Sequence, residues 1–208
     1  MSGELTIALS KGRVLADELD LLAKVGIQPK ENPASSRKLV LETNLASVRI
    51  MVLRGMDVAT YVDHGIADIG MSGKDVLLEY PGTGYYEPLD LGLGRCSLMV
   101  AGLMDEGMLP SRLRIATKFI NTAKRYYAEH GVQVDIIKLY GAMELAPVTG
   151  LAHRIVDIVE TGNTLKANGL KSMELISEIS TRLIINSNAY KTKFHEVRKL
   201  VDSLEMIL

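Results

Sequence analysis

Strand-like and helix-like segments alternate along the whole chain, and no other feature of the sequence constrains the fold as strongly. Short apolar runs at residues 5–9, 67–71 and 113–117 predict strands, and each is followed by a segment with helical spacing. Residues 39–43 and 48–53 form a predicted strand pair. Strands that alternate with helices favour a mainly parallel sheet covered on both faces, which is an α/β fold.

The carboxyl-terminal third of the chain is less regular. Residues 142–145 predict a short helix, and residues 154–159 predict a strand. Residues 173–185 form a long ambiguous segment, and residues 189–204 predict one final helix with apolar residues at helical spacing.

Two segments of the sequence are candidates for the places where the chain crosses from one lobe to the other. The glycines at residues 92–94 are a candidate hinge, and a second crossing is expected near residues 180–186. Two lobes joined by paired crossings would have a ligand cleft between them. We therefore expect lobe I to comprise residues 1–92 and 184–208, and lobe II to comprise residues 93–183.

Bulk composition excludes several function classes. The net charge of −1 gives no general attraction to nucleic acid or to an anionic membrane. Cys96 is the only cysteine, so an intramolecular disulfide is impossible and a reducing compartment is expected. The first residues lack the basic and apolar regions of a signal peptide, which favours the cytoplasm. The four histidines have no metal-ligand spacing, so no protein metal site is expected.

Residues 156–165 carry the strongest local signal for a ligand. They run Val-Asp-Ile-Val-Glu-Thr-Gly-Asn-Thr-Leu, which predicts a strand, a tight turn and a helix start. Unpaired N–H groups at such a turn suit a phosphate, and the nearby acids suit sugar hydroxyls or a divalent cation. The candidate binding residues are Asp157, Glu160, Thr161, Gly162, Asn163 and Thr164. An ordinary capped helix after a strand would give a similar pattern.

A second candidate site is basic. Ser10-Lys11-Gly12-Arg13 follows the first predicted strand, where open α/β sheets bind their ligands. Arg37 and Arg54 add cations at other predicted strand edges. Each cation alone could be surface charge, but together they favour a shared anionic ligand, because guanidinium groups match phosphate oxygens.

Taken in order, these segments resemble the short form of the ATP phosphoribosyltransferase family. The matching segments are residues 8–13, 36–38, 54–58, 67–70, 73–77, 144–147, 150–152, 155–157 and 161–165. The resemblance covers essentially the whole chain and implies a two-lobed fold like that of type II periplasmic binding proteins. His153 is a departure, because the family pattern has an acid there, and no role is carried onto that position.

The resemblance implies that adenine N1 of ATP attacks ribose C1 of 5-phosphoribosyl 1-pyrophosphate, and that pyrophosphate leaves. Arg13, Arg37 and Lys11 would be catalytic, with Arg54 supporting them on the phosphates. Asp157 would hold the ribose hydroxyls, and residues 160–164 would hold the 5-phosphate. Mg²⁺ would accompany the substrate.

The resemblance also implies a partner. The short catalytic chain of the family works with a histidyl-tRNA-synthetase-like regulatory subunit, as a homo- and hetero-oligomer. The chain ends directly after its last predicted helix, in agreement with the absence of a regulatory domain. Apolar positions for a subunit contact are Tyr190, Phe194, Val197, Leu200, Val201, Leu204 and Ile207.

Two alternatives stay open. A type I phosphoribosyltransferase also places acids before a Thr-Gly-x-Thr loop, but it leaves the segment at residues 10–13 unexplained. A non-enzymatic two-lobed ligand-binding protein would share the fold, because a fold does not determine a function.

Overall fold

The computed structural model describes residues 4–33 and 35–208 and divides the chain into two compact units. Unit 2 is Arg95–Ile179, and unit 1 contains the chain up to Gly94 and again from Ser180. The sequence-based boundary at 183/184 differs, because it would cut through the strand Thr181–Asn186, which is hydrogen-bonded within the sheet of unit 1. None of the described helices is long and apolar enough to cross a membrane.

The elements, in chain order, are β1 (Leu5–Lys11), α1 (Leu15–Lys24), β2 (Val40–Glu42), β3 (Val48–Arg54), α2 (Gly55–Asp63), β4 (Ile69–Gly73), α3 (Lys74–Glu79), β5 (Tyr85–Asp90), β6 (Cys96–Leu103), β7 (Leu113–Thr117), α4 (Ile120–Glu129), β8 (Val134–Lys138), α5 (Leu145–Val148), β9 (Arg154–Val159), α6 (Asn163–Ala167), β10 (Leu170–Ile179), β11 (Thr181–Asn186), α7 (Ser187–Thr192) and α8 (Phe194–Glu205).

The sheet of unit 1 has the strand order β2-β3-β1-β4-β11-β5. Strand β1 lies parallel to β3 and to β4, whereas β2, β11 and β5 run antiparallel to their neighbours. The expectation of a mainly parallel sheet is therefore wrong. Parallel neighbours need a long crossover connection, usually a helix. Strand β2 is joined to β3 without a helix, and β11 follows β10 of unit 2 without a helix, so neither strand has the connection that a parallel neighbour requires.

Opposite faces of this sheet carry different helices. Leu22 of α1 packs with Leu9 in one buried cluster, which also receives the apolar face of α8. Val58 of α2 packs with Ala8 in a second cluster. Adjacent residues of a strand point to opposite faces, so α1 and α2 cover opposite sides of β1.

The sheet of unit 2 has the strand order β10-β6-β9-β7-β8, with β7 parallel to both β8 and β9. Leu165 of α6 packs with Ile155 of β9 in one buried cluster. Tyr127 of α4 lies beside the side chain of Arg154, which points to the other face of β9. Helices α4 and α6 therefore cover opposite faces of this sheet.

Three local expectations for the carboxyl-terminal third are corrected. The short helix begins at Leu145 rather than at residue 142, because Ala142 has a φ of 49° and cannot start a right-handed helix. Residues 173–185 contain parts of two strands, β10 and β11. The expected final helix is two helices, which separate at Lys193, where φ is −123°. Lys193 Nζ is held 2.8 Å from Asp68 Oδ1, so a tertiary ion pair accompanies the break.

Candidate active site

The basic residues of unit 1 meet where two parallel strands end. The β1–β3 register runs to its last pair, Lys11 opposite Arg54. Helix α1 comes after Lys11 in the chain and covers one face of the sheet. Helix α2 comes after Arg54 and covers the other face. Neighbouring parallel strands whose connections leave to opposite faces form a topological switch point, where α/β sheets bind ligands.

Residues 10–13, which comprise the last two residues of β1 and the first two of the turn after it, are called the basic turn. Gly12 has a φ of 139°, a conformation that favours glycine, and Arg13 is exposed beside it. The Ser10 N–H donates to Glu18 Oε2 at 3.0 Å, and Ser10 Oγ donates to Met71 O at 3.2 Å. Both bonds fix the chain immediately before the two cations, so the structure brings Lys11, Arg13 and Arg54 to one edge.

The segment that carries Arg37 leads into β2 from the side where β3 ends. The Val52 N–H donates to Leu39 O at 2.9 Å, so the chain before β2 runs back along β3 toward its carboxyl end. Arg37, which is exposed, lies two residues before Leu39 on this segment.

An exposed acid holds the residues on both sides of Arg37. Glu31 accepts from Ser36 Oγ at 3.2 Å and from Lys38 Nζ at 2.5 Å. The hydrogen bond from Lys38 lowers the pKa of Glu31 below its ordinary value. Exposed pairs contribute little to stability, so these contacts connect both neighbours of Arg37 to Glu31 without adding much to the free energy of unfolding.

The acids of unit 2 also lie at a switch point. Strands β7 and β9 are parallel, and their pairing ends with Thr117 opposite Val156. Lys118 is the first residue after β7, and Asp157, still within β9, is the first residue beyond this pairing. Lys118 Nζ lies 3.9 Å from Asp157 Oδ1. Helix α4 comes after β7 in the chain and covers one face of the sheet, and α6 comes after β9 and covers the other face.

Lys118 is a functional candidate that sequence reasoning missed. The available signal was a cation between a predicted strand and a predicted helix. Buried Thr117 fixes its position, because Oγ1 donates to Val156 O at 2.7 Å and accepts from the Phe119 N–H at 2.9 Å.

Residues 160–164, called the phosphate loop, run from the end of β9 into the first residues of α6. Gly162 has a φ of 73°, so the tight turn requires a residue that tolerates a left-handed backbone. Thr161 Oγ1 accepts from the Asn163 N–H at 3.4 Å, which leaves its own proton for an acceptor. Thr161, Asn163 and Thr164 are exposed, while Leu165 is buried and anchors the loop to the core.

His153 lies at the other end of β9. Its ring Nδ1 accepts from the Arg114 backbone N–H at 2.8 Å, and the His153 backbone N–H donates to Arg114 O. These bonds continue the pairing at the amino edge of β7 and β9, away from Asp157 and the phosphate loop. The departure from the family pattern is thus a local structural feature at the far end of the strand.

Comparison with known proteins decides the family. The family model "HisG: ATP phosphoribosyltransferase" matches residues 54–206. The chain belongs to the ATP phosphoribosyltransferase family. The enzymes named ATP phosphoribosyltransferase from Pseudomonas aeruginosa and Pseudomonas syringae pv. tomato are each 58% identical to it over 200 residues, which is 96% of this chain and 95% of theirs. The family's reaction, a pentosyl transfer, is the first step of histidine biosynthesis.

Solved structures agree with the fold. A chain of the ATP phosphoribosyl transferase (HisG:HisZ) complex from Thermotoga maritima superposes with a TM-score of 0.86 at 35% identity, and 98% of each chain is covered. The crystal structure of Tv2483 bound to L-arginine matches with a TM-score of 0.60, covering 98% of this chain and 84% of that one. At 13% identity the second likeness concerns the fold alone. The ATP phosphoribosyltransferase fold is thus the two-lobed α/β fold of the type II periplasmic-binding-protein class.

Proposed function

We propose that the charged edges of the two sheets have different roles in ATP phosphoribosyl transfer. The edge of unit 1 binds polyphosphate, and the edge of unit 2 binds the phosphoribosyl group. The observation that carries this proposal is that both sets include residues at or near the carboxyl ends of neighbouring parallel strands, where a topological switch point lies. The strand ends of unit 1 therefore present cations to polyphosphate. Those of unit 2 present carboxylates to the ribose and the phosphate loop to the 5-phosphate.

At unit 1, four cations are available for phosphate oxygens. They are Lys11, Arg13, Arg37 and Arg54, and all are exposed. The guanidinium groups offer paired N–H donors in a planar arrangement, while Lys11 supplies a mobile point charge. We assign to Arg13, Arg37 and Lys11 the stabilisation of the departing pyrophosphate, and to Arg54 the binding of polyphosphate.

At unit 2, Asp157 would accept hydrogen bonds from the ribose hydroxyls, and Lys118 would keep the carboxylate oriented. The phosphate loop would surround the 5-phosphate with the hydroxyls of Thr161 and Thr164, the amide of Asn163 and the backbone near Gly162. Glu160, exposed at the start of the loop, would bind a sugar hydroxyl or a cation that accompanies the substrate.

This division suits the chemistry of the reaction. Adenine N1 has a free lone pair, so the attack on ribose C1 needs no strong base. Negative charge grows on pyrophosphate as the C1–O bond breaks, and the ribose becomes cationic. Fixed cations at the leaving group and a carboxylate at the sugar are therefore more useful than a proton-transfer relay.

We propose that Mg²⁺ enters with the substrate phosphates. Across residues 4–33 and 35–208, no three His, Cys, Asp or Glu side chains group together as a possible metal site. Mg²⁺ commonly binds through one or two carboxylates together with substrate phosphates and water, and it neutralises phosphate charge when bound. Asp157 and Glu160 are the carboxylates that could complete its coordination.

The experiment is a pyrophosphate-release assay with ATP, 5-phosphoribosyl 1-pyrophosphate and Mg²⁺. Arg54→Ala should lower kcat/KM at least tenfold, because Arg54 stands at the carboxyl end of β3. Arg49→Ala is the matched control from the same strand, and its side chain pairs with Glu4. Equal activity of both variants would contradict the assignment of the basic edge.

The same assay separates the alternatives. A type I phosphoribosyltransferase would release pyrophosphate with a free base as acceptor and not with ATP. A non-enzymatic ligand-binding protein would bind a substrate without releasing pyrophosphate. Release that requires ATP, with ribose attached to adenine N1 in the product, is the result that we expect.

We further propose a histidyl-tRNA-synthetase-like regulatory partner and assembly into a hetero-oligomer in the cytoplasm. The likeness to a chain of the Thermotoga maritima HisG:HisZ complex supports a partner of that kind. Val197, Leu200, Val201 and Leu204 are buried in the core of unit 1 and are not available for a contact, which corrects the longer candidate surface. Phe194 and Ile207 remain exposed and are retained.

The partner proposal is tested by titrating histidine into the chain alone and into the complex reconstituted with that partner. We expect inhibition in the complex and at most weak inhibition of the chain alone. Strong inhibition of the chain alone, without competition against ATP, would locate the histidine site within this chain.

A further inference from the structure

A buried acid that the proposed reaction does not use lies directly beneath the basic turn. Glu18, in the first half of α1, is 0% exposed. Its Oε2 accepts from the Ser10 N–H at 3.0 Å, while its Oε1 is buried and has no hydrogen-bond partner among the described residues. Burying a carboxyl group with one unsatisfied oxygen costs free energy, so this position calls for an explanation.

The location of Glu18 matches a change in the sheet. The β1–β3 register continues to Lys11, whereas the β1–β4 register ends at Ala8 opposite Gly70. Beyond that point two side-chain bonds hold β1, since Ser10 Oγ donates to Met71 O of β4 and the Ser10 N–H donates to Glu18. Glu18 therefore supplies an acceptor where strand β4 has stopped pairing.

The charge state of Glu18 also suits the turn above it. Burial, the largest cause, raises the pKa of Glu18 to about 9, against an ordinary value of 4.5. The carboxyl group is therefore neutral at pH 7 and adds no negative charge beside Lys11 and Arg13. An ionised acid at this place would reduce the attraction of the turn for an anion.

We propose that Glu18 is a positioning residue for polyphosphate binding: its buried carboxyl group fixes the Ser10 backbone and thereby places Lys11 and Arg13. This inference rests on the proposed function of the basic turn. Glu18 itself touches no substrate, and its effect is transmitted through one hydrogen bond to the residue before Lys11.

The experiment compares two probes on the full-length protein by titration calorimetry. Inorganic pyrophosphate reports on the basic turn, and ribose 5-phosphate reports on the phosphate loop of unit 2. Glu18→Leu removes the acceptor for the Ser10 N–H, and Glu18→Gln retains an acceptor oxygen. Leu22→Val is the matched control, because Leu22 is a fully buried residue of the same helix with no bond to the turn.

We expect Glu18→Leu to weaken pyrophosphate binding at least tenfold with ribose 5-phosphate binding unchanged, and Glu18→Gln to stay within about twofold of the unsubstituted protein. In turnover assays, Glu18→Leu should have a changed kcat/KM, whereas the kcat/KM of Leu22→Val should equal that of the unsubstituted protein. If Glu18→Leu binds pyrophosphate normally, or if Leu22→Val loses as much, the positioning role is wrong. If Glu18→Leu does not fold, Glu18→Gln decides, since tenfold weaker pyrophosphate binding in that variant overturns the proposal. Failure of the unsubstituted protein to bind either probe would instead contradict the proposed function.

Discussion

Replacing Glu18 by Gln should remove a large pH dependence from the stability of this protein. The carboxyl group is buried, and burial raises its pKa to about 9 from an ordinary 4.5. In the unfolded chain the same group is in water and ionises near its ordinary value. Between these two values the folded state binds one proton more than the unfolded state, so stability must fall as pH rises.

The magnitude follows from the two pKa values. The group lowers the free energy of unfolding by about 1.4 kcal/mol for each pH unit between about 4.5 and about 9. At pH 7, which is about 2.5 pH units above 4.5, the accumulated cost is about 3 kcal/mol. The free energy of unfolding is therefore not reduced below pH 4.5, and the loss of stability becomes complete as pH approaches 9.

The assay is urea unfolding of the unsubstituted protein and of Glu18→Gln at pH 6, 7 and 8. The amide cannot ionise, so the difference between the two proteins should grow in favour of the variant by about 1.4 kcal/mol per pH unit. Asp20→Asn, at an exposed position of α1, is the control, because surface substitutions usually change stability by less than about 0.5 kcal/mol. A difference that is constant from pH 6 to pH 8 would refute the reasoning, since it would mean that Glu18 is ionised in the folded protein.

Three further outcomes are expected. Thr117→Val should lower the free energy of unfolding by about 2–4 kcal/mol in urea titrations, because it leaves the Phe119 N–H and one acceptor without a partner; a loss under about 0.5 kcal/mol would contradict this. Arg37→Ala should reduce single-turnover rates by about 10²–10³ with smaller changes in KM, as for the loss of one preorganised donor; near-normal rates would exclude a role in stabilising the transition state. Thr164→Val should weaken binding of 5-phosphoribosyl 1-pyrophosphate by about 1.5–3 kcal/mol in calorimetry and spare ATP, since a hydrogen bond to a charged group is lost.

The sequence predicts those elements whose borders are local. The bounds of β7 and β9 agree with the sequence-based expectation, because each is a short apolar run that the local pattern delimits. Residues 173–185 could not be divided in the same way, since the border between β10 and β11 is set by pairing with strands of different units. The break at Lys193 likewise depends on an ion pair with Asp68, which is distant in the sequence.

The candidate site shows the same limit. The basic turn and the phosphate loop are each visible as a strand, a turn and a helix start, which are local patterns. Lys118 was missed because only the β7–β9 register puts it beside Asp157. Glu18 was missed because the sequence around it, with Asp17 and Asp20, is that of an exposed helix face. Its burial becomes visible only when α1 is packed on the sheet.

Both units reach their charged edges by the same arrangement. A pair of parallel strands, β1–β3 in one unit and β7–β9 in the other, sends its following helices to opposite faces. Only at such a pair do the two connections diverge and leave the strand ends open to a ligand. The site residues therefore depend on register more than on their own turns, since a shift of one residue would turn Asp157 to the other face and separate Lys11 from Arg54. Side-chain bonds that fix register at these ends, from Glu18 to Ser10 and from Thr117 to Val156, consequently matter for function as well as for stability.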